Sequence, residues 1–259
     1  MFSSYRLLAK KYKYLVAAGF VVCLLLLNAT PVTGTVQWSD NFNDGELDAW
    51  TQVTGEWTAE GNALEVVSGI PAGCEGEVIT ALISHESPVV KGTWSFDLEY
   101  DLNTCEEDAT PEVFFMTPNA STLSGYSIEI QPILGTGVSR PTFRLMAAIP
   151  LEHSTGTQQV VLGSYDGPEG AVGQVHFDIT RKSDGGITVS INGTSVIEAV
   201  DTRIDTDVCE NFVIFLVTGW TIDNIVVDDS IAIGQGPLLV GIVSAFVIAL
   251  LVIWVIKKK

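Results

Sequence analysis

Positive charge is scarce in the interior of this chain. Of its 13 lysines and arginines, seven sit at the two ends: Arg6, Lys10, Lys11, Lys13, Lys257, Lys258 and Lys259. All 31 acidic residues lie between them, from Asp40 to Asp229, against six cations. A surface of that sign repels phosphate backbones and excludes nucleic acid as a partner. It favours cations, or high salt that screens its own repulsion. No Cys-x-x-Cys spacing occurs, so no zinc site is indicated. Gly-x-Ser-x-Gly is missing too, and His85, His153 and His176 are scattered, which leaves a nucleophile triad without support. No glycine loop precedes a helix to cradle phosphate, and the middle of the chain holds no long amphipathic helix.

Cysteine is sparse as well. Cys23 lies in an N-terminal apolar run, and Cys74, Cys105 and Cys209 lie in the middle. Three thiols allow at most one intramolecular bridge. Cys74–Cys105 is the expected pair, because both sit in acidic, turn-like stretches, with Cys105–Cys209 left open. Closing a loop of that order contributes about 3–4 kcal/mol.

The ends are long apolar segments. Residues 1–34 carry a basic start and then Tyr14 to Leu27, which at 1.5 Å per residue spans only about 21 Å. That is short of the ~30 Å hydrocarbon core, so a secretory signal peptide is expected there, or else an uncleaved N-terminal anchor. Residues 237–256 are apolar throughout and long enough to cross a bilayer as a helix. Residues 230–236 form a linker before it, and 257–259 a basic tail after it. Positive charge stays on the cytoplasmic side, which puts the acidic body outside the cell and the C-terminus inside. The expected location is therefore the cell membrane, crossed once, with an extracellular ectodomain. Sequons at Asn119 and Asn192 fall in that ectodomain and are candidate glycosylation sites.

The body, 35–229, reads as strands. Trp94, Phe96, Leu98, Tyr100 and Leu102 share one face, and Ser95, Asp97, Glu99 and Asp101 share the other. Tyr126 to Ile130 and Val175 to Thr180 repeat that period of two, which marks antiparallel sheets with one wet face. Val113 to Met116 is uninterrupted and apolar, as for a strand covered on both sides. Thr142 to Ala148 and Gln158 to Leu162 are further expected strands. Gly61-Asn62, Asp184-Gly185-Gly186 and Asn192-Gly193 are turns between strands.

Two stretches carry a family resemblance. Gly219-Trp220-Thr221-Ile222-Asp223-Asn224-Ile225-Val226-Val227, after the hairpins at 184–186 and 192–193, resembles the final strand of concanavalin A-like (laminin G-like) domains. Phe42, the Asn43-Asp44-Gly45 turn, Trp50 and Gly55-Glu56-Trp57 are similar to the opening of such domains. The resemblance implies an all-β antiparallel jelly-roll sandwich whose last strand pairs with one near the N-terminus. It also implies one structural calcium, with Asp40, Asn43, Asp44 and Asp223 as ligands. Glucanases of this fold carry a strand of the form Glu-x-Asp-x-(x)-Glu, and Glu99-Tyr100-Asp101 is the near match, lacking the second Glu. Two carboxyls in a retaining enzyme stand about 5–5.5 Å apart, a spacing i and i+2 on one strand approach. Exposed aromatics are the sugar-stacking alternative, with Trp38, Trp50, Trp57, Trp94 and Trp220 available. The expected function is non-catalytic capture of glycans or of neighbouring surface proteins. A membrane-tethered glycoside hydrolase using Glu99 and Asp101, or a structural envelope component, are the other readings.

Overall fold

The computed structural model describes residues 35–72, 78–104, 110–118, 120, 123–133, 139–151, 157–204 and 209–229. The terminal segments, the 230–236 linker, Cys74, Cys105, His153 and Asn119 lie outside these residues. Among the described residues no helix is long and apolar enough to cross a membrane.

Strands β1 (Val36–Asp40), β2 (Trp50–Thr54), β3 (Glu56–Thr58), β4 (Leu64–Ser68) and β5 (Ile70–Ala72) open the body. Then come β6 (Val78–Glu86), β7 (Gly92–Asp101), β8 (Glu112–Thr117), β9 (Gly125–Ile133) and β10 (Arg140–Pro150). The last six are β11 (Thr157–Asp166), β12 (Val172–Arg181), β13 (Gly186–Ile191), β14 (Thr194–Val200), β15 (Asn211–Val217) and β16 (Thr221–Asp228). They form two antiparallel sheets. Sheet A runs β14-β13-β12-β7-β16-β4-β3, with β1 also on β16. Sheet B runs β11-β10-β9-β8-β15-β6-β2, with β5 also on β6.

Alternation decides which side chains meet between the sheets. In β7, Trp94, Phe96, Leu98 and Tyr100 are buried inward, while Ser95, Asp97, Glu99 and Asp101 face out. Sheet B answers with Val113, Phe115, Ile128, Ile130, Phe212 and Ile214. Rings bridge the layers: Trp94 meets Phe115 at 5.2 Å, and Phe143 meets Phe177 edge-on at 5.1 Å. Such contacts add about 0.5–1.5 kcal/mol each beyond the area they bury.

Two glycines fix where a central strand of each sheet begins. Gly92 opens β7 with φ 146°, and a Cβ there would lie 2.0 Å from the Asp228 carbonyl oxygen. Gly125 opens β9 with φ 131°, where a Cβ would lie 1.8 Å from the Met116 carbonyl oxygen. Asn192 (φ 50°) and Gly193 (φ 77°) make the two-residue turn expected between β13 and β14.

β16 closes sheet A as the resemblance implies. One edge lies on β7. The other is shared: Thr221 and Ile222 pair with β4, and Ile225 to Asp228 pair with β1. Asn224, at φ 50°, sits in the bulge between the two halves. Beyond the last rung, the Thr35 N–H donates to Asp229 Oδ1 at 2.8 Å, and the Asp229 N–H donates back to the Thr35 carbonyl at 3.3 Å.

Among the strands with no counterpart in the sequence reading, β6 and β15 are the longest. They pair with each other in the middle of sheet B, next to β8. Residues 81–83 and 212–217 are apolar runs on which both faces are covered, so neither shows a clean period of two.

Candidate functional site

The outward face of sheet A is a polar hydrogen-bonded lattice. Thr93, Ser95 and Asp97 of β7 stand opposite Thr180, Asp178 and His176 of β12. The His176 Nδ1 lies 2.6 Å from Asp97 Oδ1, and its Nε2 lies 3.3 Å from Asp178 Oδ1. Ser95 donates to Asp178 at 2.7 Å, and the Asn224 amide donates to Asp97 Oδ2 at 2.8 Å. Burial would lower the His176 pKa, but the bonds and charges of Asp97 and Asp178 outweigh it and hold the pKa above its ordinary value. Glu99 lies further along this face, opposite Gln174 and Thr221, and is exposed. Asp101 follows on the same side and is tied to the Asn103 N–H and side-chain amide at 2.9 and 2.8 Å.

The outward face of sheet B is built differently. Leu82, Phe114 and Val213 form a small apolar cluster separate from the main core, with Val53, Ala120, Leu123 and Phe215 packed on it. Beside it a depression of about 780 Å³ opens, lined by Thr51, Val53, His85, Glu86, Glu210 and Asn211 among others. His85 stacks on Trp38 at 4.0 Å, and burial lowers its pKa, so the ring is neutral at pH 7.

A row of side chains crosses this face in register: Leu82, Phe215, Glu112, Glu129, Arg144 and Ser164. Directly opposed residues on neighbouring strands have Cβ atoms about 4.5–5.5 Å apart. Glu112 and Glu129 are such a pair, in unlike surroundings. Burial pushes the Glu112 carboxyl up to about 7, the Glu129 charge adds to the rise, and the hydrogen bond from Ser127 opposes it. That Ser127 hydroxyl donates to Glu112 Oε1 at 2.5 Å. Glu129 is held instead by Arg144 at 3.4 Å. One row further, Arg140 pairs with Asp166 at 2.7 Å, and the Thr142 hydroxyl donates to the same carboxylate at 3.1 Å.

The β1–β16 pairing brings the region of Asp40 near that of Asp223. Asp223 is raised by burial first and then by the charges of Asp97 and Asp40. Oxygens of three of the four residues accept hydrogen bonds within the chain. Asp40 accepts the Phe42 N–H and the Trp50 indole N–H, both at 2.8 Å. Asp44 accepts the Glu46 N–H at 3.0 Å, and Asp223 the Asn224 N–H at 2.6 Å. Asn43 is exposed. Among the described residues no three His, Cys, Asp or Glu side chains converge on a metal-sized position. Trp50, Trp57, Trp94 and Trp220 are buried and Trp38 packs against the core, so none of these five offers an open stacking platform. Cys209 is buried. Asn192 is exposed in its turn, its Oδ1 accepting the His176 N–H at 2.9 Å.

Two layered antiparallel sheets, closed by a last strand lying on the first, define a concanavalin A-like jelly roll. The chain matches no protein-family model and no curated protein by sequence. Its likenesses are structural. β-Agarase A from Zobellia galactanivorans is similar with a TM-score of 0.51 at 15% identity, over 80% of this chain and 98% of that one. The carbohydrate recognition domain of Emp47p is similar with a TM-score of 0.51 at 9% identity, over 79% of this chain and 100% of that one. At these identities the likeness is one of fold, and function has to be argued from the site.

Proposed function

We propose that the chain is a membrane-anchored surface protein whose body, residues 35–229, captures glycans without cutting them. The observation that carries this reading is the open depression on the outward face of sheet B, lined by Thr51, Val53, Pro118 and Asn211 among others, with the hydrogen-bonding side chains of Glu112, Glu129, Arg144 and Ser164 on the same face. Sugars present C–H faces and hydroxyls together, and a mixed surface of that kind suits both. The fold neighbours support the reading: one is named as a carbohydrate recognition domain, and β-agarase A is described in complex with oligoagarose. Residues 237–256 would hold the body to the membrane, with its ectodomain outside. The test is a glycan array probed with the full-length protein in nanodiscs. Saturable binding lost on filling the depression, as in Thr51→Trp, supports capture. A blank array together with ordered self-association would favour a structural envelope role instead.

One observation favours a second reading, hydrolysis. Glu112 and Glu129 face each other across β8 and β9, one carboxyl pushed up and the other ion-paired, as an acid and an ionised partner have to be. Glu99 and Asp101 stay the alternative pair for the same chemistry. Reducing-sugar release abolished by Glu112→Gln but not by Glu99→Gln would assign the activity to sheet B. The reverse pattern would assign it to sheet A.

A further inference from the structure

The six cations of the body account for themselves residue by residue. Arg181 is buried and spends its guanidinium on the Val90 carbonyl at 2.8 Å and on the Tyr126 ring at 5.4 Å. Arg203 is bonded to Asp201. Lys91 and Lys182 are in loops at one end of sheet A, next to the paired residues Gly92 and Arg181. That leaves Arg140 and Arg144 for the outward face of sheet B, and each already holds a carboxylate, Asp166 and Glu129. His85 beside the depression is neutral, with Nδ1–H donating to the Glu86 carbonyl at 2.6 Å. Among the described residues the remaining ionisable groups near that face are acids: Glu112, and the exposed Glu86 and Glu210 at the rim of the depression.

A sulfate or carboxylate on a sugar needs a cation or several N–H donors to replace the water it gives up. Among the described residues this face presents no guanidinium or ammonium free of a carboxylate. Its surplus carboxylates would repel an anionic chain on approach and after docking.

Resting on the glycan reading above, we infer that the outward face of sheet B takes glycans free of sulfate and carboxylate. Two ion pairs, Glu129–Arg144 and Asp166–Arg140, set that choice by keeping both arginines occupied. The selectivity is thus held by two side chains that a single isosteric change each would release. Glu129→Gln leaves Arg144 with an open donor fork in the middle of the row, two strands from Glu112. Asp166→Asn does the same for Arg140 at the edge, where the pair is wetter.

The experiment compares full-length protein in nanodiscs against oligoagarose and laminari-oligosaccharides, each with its sulfated form, across a salt series. Wild type is expected to bind the unsulfated form at least about tenfold more tightly, the scale of one charge-assisted contact. Glu129→Gln should narrow that gap by about tenfold, through tighter, salt-sensitive binding of the sulfated form, and Asp166→Asn by less. Thermal melts of both variants confirm that they are folded. Wild-type preference for the sulfated form overturns the inference while leaving glycan capture standing. An unchanged gap in both folded variants does so too. Binding of neither form by any of the three proteins removes the inference together with the glycan reading beneath it.

Discussion

The two outward faces of the sandwich are made from strands of the same kind and end up as different surfaces. On sheet A, neighbouring strands set Thr against Thr, Ser against Asp, and His against Asp, so these six groups find partners within the sheet. On sheet B, apolar side chains occupy part of the same outward position, and Glu112 and Glu129 are set against each other. A face that satisfies itself has little left to offer a ligand. A face that brings like charges together in register, beside apolar surface, keeps interaction capacity in reserve at some expense in stability. The difference teaches that register and composition together decide which polar groups of a face are satisfied by their neighbours.

The sharpest way to break the comparison is to disturb where each sheet starts. Gly92→Ala and Gly125→Ala both drive a Cβ into a backbone carbonyl at a positive φ, and each is expected to cost about 3 kcal/mol or more. Urea melts read this directly. If one variant costs under about 1 kcal/mol, the register it defines is not fixed by that glycine.

The next effect belongs to sheet B and depends on pH. Glu112 titrates near 4.5 when unfolded and near 7 when folded. Between those values the folded chain keeps a proton that the unfolded chain has released. Stability therefore falls as pH rises from about 4.5 to about 7 and is flat beyond, by at most about 3 kcal/mol. Glu112→Gln should remove this loss, melting higher than wild type at pH 8 and level with it at pH 4. Equal melting curves at both pH values would show that the carboxyl is not strained.

The counterpart on sheet A is smaller and lies in a different window. A raised His176 pKa means its contribution is complete below the ordinary value of 6.5 and is lost as pH climbs through the folded value. The ring is 42% exposed, so solvent screening keeps the effect of His176→Asn under about 1 kcal/mol, seen at pH 6 and absent at pH 9. A larger loss, or one that persists at pH 9, would mean that the lattice acts through packing instead. Smallest of all is calcium. With the oxygens of Asp40, Asp44 and Asp223 closing turns, calcium against chelator should shift the melting temperature by less than about 1 °C. A rise of several degrees would support the four-residue site.

Much of sheet A was legible in the sequence, because its strands are wet on one side and print the pattern of that asymmetry. Trp94 to Asp101 and Val175 to Thr180 alternate without interruption, and Asn192-Gly193 fixes a hairpin register locally. Part of sheet B was not. β6 and β15 are covered on both sides, so burial erases the alternation that would announce them. The candidate site fell in the same blind spot. Glu129 stood in a strand that the sequence did reveal, and Glu112 preceded an apolar run that also read as a strand. What makes them a pair is the register of β8 on β9, with a shift between Phe114 and Met116, and nothing local encodes that. The sequence pointed to Glu99 and Asp101 because their spacing along one strand can be read without knowing any partner strand.

Thr35 and Asp229, bonded to each other at the mouth of the β1–β16 ladder, make the two ends of the body a single doorway. Tension applied through both flanks would load that ladder rung by rung, as a zipper is opened, and not in shear. A drag delivered through the C-terminal flank and a cargo on sheet B would instead be borne by the whole sandwich. The same adjacency makes the body portable: spliced into a loop of a host protein, it would ask for almost no separation between the points of insertion.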